Sequence, residues 1–313
     1  MRLDETNKII FEHLLHYARF SAADLAKVVK LSKVAVTKRI SYLLEEHFIS
    51  RFDAIINWQK LPFIKKVYFV QNHSEHTLEF ERNIRTEEAA FSLVKLIGMY
   101  NYQIWCFFKD KSQQKTFERA LKNYDFFDFE VIELIFPKVS FFNEQIKILI
   151  SESPEKQITL KKIDIKLLKY LAHGHGRDSF YAISEAIGEK YDSVKYHFRN
   201  LLSAGYFESI IAQPGESQFT LQTTSLIIEF LKKKDISLLM RKLSTLSKTI
   251  SIASGKKNRI MIHFMSITHK EYREALDKIF TLCKNEVKCS PVLVYWDKPI
   301  FNNRYPLEYL IKS

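Results

Sequence analysis

The second half of this 313-residue chain repeats the first at an offset of about 157 residues. The clearest matching segments are Gly98-Met99-Tyr100-Asn101 and Gly255-Lys256-Lys257-Asn258. Each quartet follows a short apolar run and precedes a strand-like stretch and then an amphipathic helix. A repeat of this length exceeds the small units of a solenoid, so it predicts two tandem units that each hold two domains.

The first sixty residues have the spacing of three short helices followed by a strand. Apolar residues recur at helical intervals over residues 4–18, and Ser21 and Ser32 are placed to cap a second and a third helix. The buried stripe of the third helix recurs at i, i+4 and i+7, at Val36, Ile40 and Leu43. Because residues 48–56 then alternate as a strand, this order predicts a winged helix-turn-helix.

The same pattern returns over residues 163–212. The apolar stripe of its third helix is displaced from the first by 158 residues, at Val194, Phe198 and Leu201. Ser179 corresponds to the capping Ser21, and Pro214-Gly215 after the strand predicts the turn of a wing hairpin.

Each trihelical segment precedes a β-α-β-β-α-β pattern, which is the order of a ferredoxin-like sandwich. The predicted fold class is therefore α+β, with two tandem units, each a winged helix-turn-helix followed by a ferredoxin-like domain. The predicted domains are 1–60, 61–145, 161–222 and 223–313, with a linker at 146–160.

Composition narrows the class of partner. Residues 1–157 carry 23 Lys and Arg against 21 Asp and Glu, whereas residues 158–313 carry 25 against 15. A basic balance favours a polyanion, and double-stranded DNA is the partner we expect. No run of 18 apolar residues and no apolar signal core occur, so we expect a cytoplasmic protein and no membrane partner. Three cysteines predict no disulfide framework.

The third helix of each trihelical segment carries polar side chains away from its apolar stripe. In a helix-turn-helix this helix enters the major groove, where Lys and Arg meet guanine or phosphate and Ser and Thr meet either. The predicted DNA-binding residues are Ser32, Lys33, Thr37, Lys38, Arg39, Ser41, Tyr191, Ser193, Lys195, Tyr196 and Arg199. Asp192 would repel phosphate there, so we interpret it as a helix cap and expect the two segments to read different sequences.

The residues of the first segment resemble the Lrp/AsnC family of feast/famine transcription regulators. The resemblance runs from Leu3 to Asn57 and is strongest over Ala18–Ala26 and over Ser32–Leu43, SKVAVTKRISYL. It continues by pattern into the ferredoxin-like part and then through the second half. The family implies a sequence-specific DNA-binding regulator whose second domain dimerises and binds a small effector such as an amino acid. The tandem then predicts that dimer within one chain, as a covalent pseudo-dimer with one sheet packed on the other.

The effector turn departs from the family. The family has Gly-x-x-Asp at this turn, whereas the fourth residue of both turns is Asn in this chain. An amide cannot be the anionic partner of an amino group. The candidate effector-binding residues are Gly98, Tyr100, Asn101, Gly255 and Asn258. The alternative interpretation is that the glycines adopt a left-handed backbone and the asparagines close the turns.

Other functions stay open beside regulation. An architectural DNA-binding protein would use the same folds, and further homo-oligomers would be compatible with either. Siroheme decarboxylases are similar to this family, and Tyr102-Gln103-Ile104-Trp105 distantly resembles their strand, although no histidine-rich motif precedes it. His173-Gly174-His175-Gly176 has two potential metal ligands but no third one nearby. We therefore expect no enzyme activity, no catalytic residues, no cofactor and no metal.

Overall fold

A computed structural model describes residues 3–73, 77–97, 100–135, 158–215, 222–230, 236–246, 249–266, 269–283, 287–288 and 294–302. The described residues fall into two compact units. The first unit combines residues 3–60 with 158–215, and the second combines 61–135 with 222–302. Each unit therefore takes one segment from each repeat. The linker predicted at 146–160 lies mostly outside the described residues, and the predicted domain boundaries stay a prediction.

The first unit contains the two predicted trihelical segments. The elements of the first are α1 Glu5–His16, α2 Ala22–Val29, α3 Lys33–Glu45 and β1 Ile49–Ile56. Those of the second are α6 Lys162–Leu171, α7 Phe180–Ile187, α8 Tyr191–Ser203 and β6 Phe207–Pro214. The predicted caps form, because the hydroxyl oxygens of Ser21, Ser32 and Ser179 each accept the backbone N–H three residues on, at 3.1 Å.

The strands of the first unit pair with each other. Strands β1 and β6 run antiparallel, with Phe52 opposite Ala212 and Ala54 opposite Ile210. The wing hairpin predicted after Pro214 is therefore wrong for the described residues, because the strand after each third helix finds its partner in the other repeat. Gly215 serves a close backbone approach instead, since a Cβ there would lie 1.5 Å from the carbonyl oxygen of His47.

Two arginines make reciprocal contacts between the segments. The Arg19 guanidinium donates to the carbonyl oxygen of Gly176 at 2.8 Å, and the Arg177 guanidinium donates to that of Ala18. Arg177 lies 158 residues after Arg19, and Gly176 lies 158 after Ala18. The contact is thus made twice with the roles exchanged, as in an isologous dimer interface.

Backbone hydrogen bonds follow the same exchange. The amides of Ala18 and Gly176 donate to the carbonyls of Ile210 and Phe52, at 2.6 and 2.9 Å. The amides of Asn57 and Gly215 donate to the carbonyls of Tyr206 and Phe48, both at 2.9 Å. In each pair of bonds, the two donors are 158 residues apart from each other, and so are the two acceptors. A two-fold-related interface therefore forms within one chain.

The second unit contains the two predicted β-α-β-β-α-β segments, and the second segment has one further two-residue strand, β10, before its last strand. The elements of the first are β2 Ile64–Gln71, α4 Thr77–Thr86, β3 Ala90–Ile97, β4 Tyr102–Phe108, α5 Lys111–Ala120 and β5 Asp125–Ile135. Those of the second are β7 Gln222–Phe230, α9 Ser237–Ser244, β8 Thr249–Gly255, β9 Arg259–Ser266, α10 His269–Cys283, β10 Val287–Lys288 and β11 Val294–Asn302.

Hydrogen bonding joins the two sheets, beyond the packing that the sequence predicts. Strand β5 pairs with β2 along its first half and with β8 along its second half. Strand β11 pairs with β3 and β7, and β7 also pairs with β9. Within the described residues the strands thus close a ring in the order β7-β11-β3-β4-β2-β5-β8-β9. All of these pairings are antiparallel, and an eleven-residue β5 is long enough to serve both sheets.

Each sheet buries one face under its own helices. The first core includes Tyr68, Phe80, Tyr102 and Phe117, and the second includes Leu226, Met240, Ile262 and Tyr272. On the opposite face, residues 158 apart meet. The Gln103 amide lies 3.7 Å from Met261 Sδ, and the Trp105 and His263 rings meet edge to face at 5.8 Å. Contacts between residues at the repeat offset are those expected close to a two-fold axis that relates the two segments.

No helix among the described residues combines the length and apolar character needed to cross a bilayer.

Candidate functional site

Helix α3 presents a polar face away from its buried stripe. Val36, Ile40 and Leu43 are buried, as predicted. The side chains of Lys33, Thr37, Lys38 and Ser41 are exposed. The Thr37 hydroxyl donates to the Lys33 carbonyl at 3.0 Å, which leaves its oxygen as an acceptor. The N-terminus of the helix carries no acidic residue in its first turn, so its positive end is available to an anion.

Arg39 differs from the other predicted DNA contacts. Its guanidinium donates to Asp4 Oδ2 at 2.6 Å and to Asn7 Oδ1 at 2.9 Å. Asp4 is the N-cap of α1 and its side chain also accepts the Asn7 amide. These bonds, and the Arg39 charge, lower the pKa of Asp4 against the opposing effect of desolvation. Arg39 therefore positions α3 against α1, and its prediction as a DNA contact stays untested.

The segment from the end of α2 to the start of α3 is strongly basic. Lys27, Lys30 and Lys33 are all exposed and lie three residues apart, and residues 27–34 contain no acidic side chain. The positions 158 residues on are Glu185, Gly188 and Tyr191. Residues 185–192 contain Glu185, Glu189 and Asp192 against a single Lys190. The two helix-turn-helix turns therefore carry opposite charges, a difference that aligning the repeats at that offset would have shown.

Helix α8 is the second predicted recognition helix. Tyr191, Tyr196 and Arg199 are exposed, whereas Ser193 and Lys195 are half-buried. The Lys195 ammonium lies 6.0 Å from the centroid of the Tyr191 ring, at the outer limit of a cation–π contact.

Asp192 is not the cap of α8. The N-cap is Lys190, which makes no side-chain cap hydrogen bond, and Asp192 lies in the first turn. Its carboxylate there complements the positive end of the helix and competes with any anion that approaches. At the opposite side of α8, buried His197 Nδ1 lies 2.7 Å from Asp164 of α6, in the place that the Arg39 contact with α1 occupies in the first segment.

The candidate effector turn of the first repeat is closed by Asn101. Its amide Nδ2 donates to the Asn72 carbonyl and its Oδ1 accepts the Asn72 amide, both at 2.8 Å. This side chain therefore extends the pairing of β2 in the way another strand would. Tyr100 is half-buried with its ring 5.9 Å from that of Phe69. Gly98 lies outside the described residues.

In the equivalent turn of the second repeat, the glycine does not adopt the left-handed backbone that the alternative interpretation predicts. Lys257 and Asn258 have positive φ of 60° and 58°, whereas the φ of Gly255 is not positive. A Cβ on Gly255 would lie 2.6 Å from Cζ of Phe129, so close packing of that ring requires the glycine. The Asn258 side chain lies 3.5 Å from the Phe230 carbonyl, a longer version of the Asn101 contact.

The two histidines of the turn before α7 have local partners. His173 Nδ1 lies 2.6 Å from the Lys169 carbonyl, and His175 Nδ1 lies 3.1 Å from Asp178 Oδ2. The His175 ring stacks on Tyr170 at 4.3 Å. Across the described part of the chain, no three His, Cys, Asp or Glu side chains gather in a way that could hold a metal ion.

Comparisons with known proteins give both regulators and an enzyme. No protein-family model matches the chain. An uncharacterised HTH-type transcriptional regulator of Pyrococcus furiosus is 28% identical over 102 residues, which are 33% of this chain and 65% of that regulator. The chain thus matches slightly under two thirds of that relative's length.

Among solved structures, the siroheme decarboxylase NirDL is similar with a TM-score of 0.63 and 10% identity, over 99% of this chain and 97% of that one. A second structure of it, in complex with an iron-uroporphyrin III analogue, gives the same TM-score. LrpC of B. subtilis is matched with a TM-score of 0.39 and 19% identity, over 42% of this chain and 96% of that one.

The expectation that the chain is not an enzyme is wrong as an inference from its fold. The siroheme decarboxylase NirDL has this fold over nearly the whole length of both chains. The chain is therefore similar in sequence, over a third of its length, to an HTH-type transcriptional regulator, and it shares its fold over nearly its whole length with an enzyme.

Proposed function

We propose that the chain is a DNA-binding transcription regulator whose first helix-turn-helix contacts the major groove through α3. One observation carries the proposal: α3 exposes Lys33, Thr37, Lys38 and Ser41, and the charged side chains of residues 27–34, which lead from α2 into α3, are all lysines. An exposed basic turn leading into a capped helix is the electrostatic pattern of a phosphate-binding recognition helix.

The lysines differ in how freely they can contact phosphate. Lys27 lies 3.8 Å from Asp24, and both side chains are well exposed, so this pair is weak in water. Lys33 and Lys38 bracket the exposed face of α3, one at its first position and one in its second turn. We assign Lys33 and Lys38 to phosphate or guanine contacts, and Thr37 and Ser41 to base or phosphate contacts.

The two helix-turn-helix segments are expected to contribute unequally. Around α8 the acidic Glu185, Glu189 and Asp192 oppose the approach of a phosphate backbone, although Lys195 and Arg199 are basic. A pseudo-dimer with this difference fits an asymmetric DNA site. Tyr191, Ser193 and Tyr196 stay candidate contacts of the second segment.

The test is DNA binding by fluorescence anisotropy at several salt concentrations, with sites chosen by genome-wide mapping of bound DNA. Lys38→Ala is expected to weaken binding roughly fivefold to tenfold near 0.1 M salt and to lower the salt slope by about 0.9, the share of one phosphate. Lys115→Ala removes the same charge from an exposed position of α5 and is the matched control, expected to change neither quantity.

Two results would contradict the proposal. The first is a salt slope that Lys33→Ala and Lys38→Ala both leave unchanged, which would remove α3 from the interface. The second is equal loss for Lys38→Ala and Lys195→Ala on a symmetric palindrome, which would contradict the unequal contributions. Binding that depends on DNA length but not on sequence would instead identify an architectural protein.

A small effector such as an amino acid is the finer part of the regulator hypothesis. Asn101 has a neutral amide in place of a carboxylate, and this amide is already hydrogen-bonded to Asn72, so it offers no anionic partner to an amino group. A thermal-shift screen of amino acids and nucleotides tests for an effector. A shift that Asn101→Ala abolishes would place the effector at this turn despite these bonds.

A second candidate function is tetrapyrrole chemistry of the siroheme decarboxylase type. The full-length likeness to NirDL, a structure of which holds an iron-uroporphyrin III analogue, favours it. At 10% identity that likeness concerns the fold alone. Titration with iron uroporphyrin III, followed by its visible absorbance, tests binding, and chromatography of siroheme products tests decarboxylation. Absence of a spectral change at micromolar protein would end this candidate.

A further inference from the structure

The first turn of α3 exposes a large apolar side chain. Val34 is 66% exposed, although the buried stripe of the same helix is complete without it. Val28 in the last turn of α2 and Leu31 between the two helices are 48% and 38% exposed. A β-branched residue also has a lower helix propensity than alanine, so Val34 adds little to the stability of α3. A cluster of exposed apolar side chains, unlike a single one, marks an interaction surface.

Val34 lies on the same face of α3 as three of the predicted DNA-binding residues. Val34, Thr37, Lys38 and Ser41 lie at i, i+3, i+4 and i+7, and all four are exposed. This spacing aligns them along one side of the helix. The face that would enter the groove thus begins with an apolar side chain and continues with hydrogen-bonding ones.

The second repeat lacks this arrangement. The positions 158 residues after Val28, Leu31 and Val34 are Ala186, Glu189 and Asp192. The repeated fold therefore does not itself require apolar side chains at these positions, and a function particular to the first segment accounts for them better.

We infer that Val34 contacts the 5-methyl group of a thymine, and that the site bound by α3 contains thymine at that position. The inference rests on the proposed function. Thymine is the base that presents an apolar group in the major groove, and early residues of a recognition helix are those that reach base edges. Lys33 and Lys38 would hold the phosphates on either side while Val34 supplies discrimination between thymine and the other bases.

A protein partner would also cover an apolar patch, but the charges favour DNA. Exposed Lys27, Lys30 and Lys33 alternate with Val28, Leu31 and Val34 along the chain. The cores of protein–protein interfaces are depleted in lysine, whereas phosphate on both sides of a groove matches this alternation.

The experiment uses the full chain and a duplex selected by it from a random pool. Each thymine is replaced in turn by deoxyuridine, which lacks only the methyl group. The wild type is expected to lose about fourfold in affinity at one position, the value of one buried methyl-sized group, with no change in salt slope. Val34→Ala is expected to bind the thymine and uracil duplexes equally.

Ile132→Ala is the matched control, because Ile132 is a β-branched side chain that is 59% exposed in the other unit. It should keep the wild-type response to uracil. Val34→Asp, which copies the second repeat, should weaken binding to every sequence. Since Val34 is outside the core, and alanine or a first-turn aspartate favours the helix, neither Val34 variant should lower the melting temperature of the first unit.

Three outcomes overturn the inference. If the wild type binds its selected duplex with the same affinity after every uracil replacement, this inference is wrong and the proposed function stands. The same conclusion follows if the Val34→Ala variant keeps the wild-type response to uracil. Either result would leave the apolar patch to a protein partner. A wild type that binds no duplex at any salt concentration overturns the proposed function and this inference together.

Discussion

Replacing Arg19 with Met is expected to destabilise the first unit by about 2–4 kcal/mol. The guanidinium donates a 2.8 Å hydrogen bond to the Gly176 carbonyl, and a bond from a charged donor contributes about 1.5–3 kcal/mol. The same group lies 4.7 and 4.9 Å from the ring centroids of Phe180 and Phe198, and cation–π contacts add about 0.5–2 kcal/mol. Methionine keeps the apolar stem and loses both interactions.

One effect acts in the opposite direction. Burial lowers the pKa of Arg177, and the positive charge of Arg19 lowers it further. The two guanidinium groups therefore repel each other, and removing one relieves that repulsion. We expect the Arg19→Met and Arg177→Met double variant to be less destabilised than the sum of the single variants, since the two share an interface.

Hydrogen exchange followed by mass spectrometry is the suitable assay, because two compact units need not unfold together and a single free energy for the chain is then undefined. Amides of β1 and β6 should exchange roughly 30-fold faster or more in Arg19→Met, which is the change that about 2 kcal/mol produces. Those of β2 and β4 should not change. Arg119→Met, at an exposed position of α5, is the control. Wild-type exchange in β1 and β6 of Arg19→Met would refute the reciprocal contact as a source of stability.

Two further predictions concern the second unit. Gly255→Ala is expected to cost about 1–3 kcal/mol, because its Cβ would overlap the ring of Phe129, and Phe129→Leu in the same chain should recover part of the loss in thermal unfolding. Burial lowers the pKa of His263 to about 4, so between about pH 6.5 and 4 the unfolded chain binds a proton that the folded chain excludes. The free energy of unfolding of the second unit should then fall by about 3 kcal/mol as pH drops through that window. Urea unfolding should show a smaller fall for His263→Asn, and an unchanged one for exposed His73→Asn.

Local features were predictable because their causes lie within a few residues. Ser21 and Ser32 cap their helices through the backbone N–H three residues on, a distance that sequence spacing states directly. The buried stripe of α3 and the exposure of Lys33 and Lys38 follow from the helical period in the same way. The order of helices and strands in both repeats was likewise predictable from periodicity.

Features that depend on distant partners were not predictable. Arg39 reads as a groove-facing cation, yet its hydrogen bonds are to α1, more than thirty residues earlier. Asn101 reads as an effector residue, yet its amide pairs with the backbone of Asn72. Side-chain chemistry gives each of these residues several suitable partners, and only chain packing brings one of them within hydrogen-bonding distance.

The sequence by itself predicted two copies of one fold whose recognition helices differ enough to read different DNA sequences. The tertiary structure decided how the copies combine: β1 pairs with β6, β5 pairs with β8, and Arg19 and Arg177 exchange equivalent contacts. The physical reason is that a repeat offset states which residues are equivalent but not which ones touch. Reciprocal contacts such as those of Arg19 and Arg177 require a two-fold relation between the copies, and unpaired strand edges and buried carbonyls specify that relation only once the two copies are folded side by side.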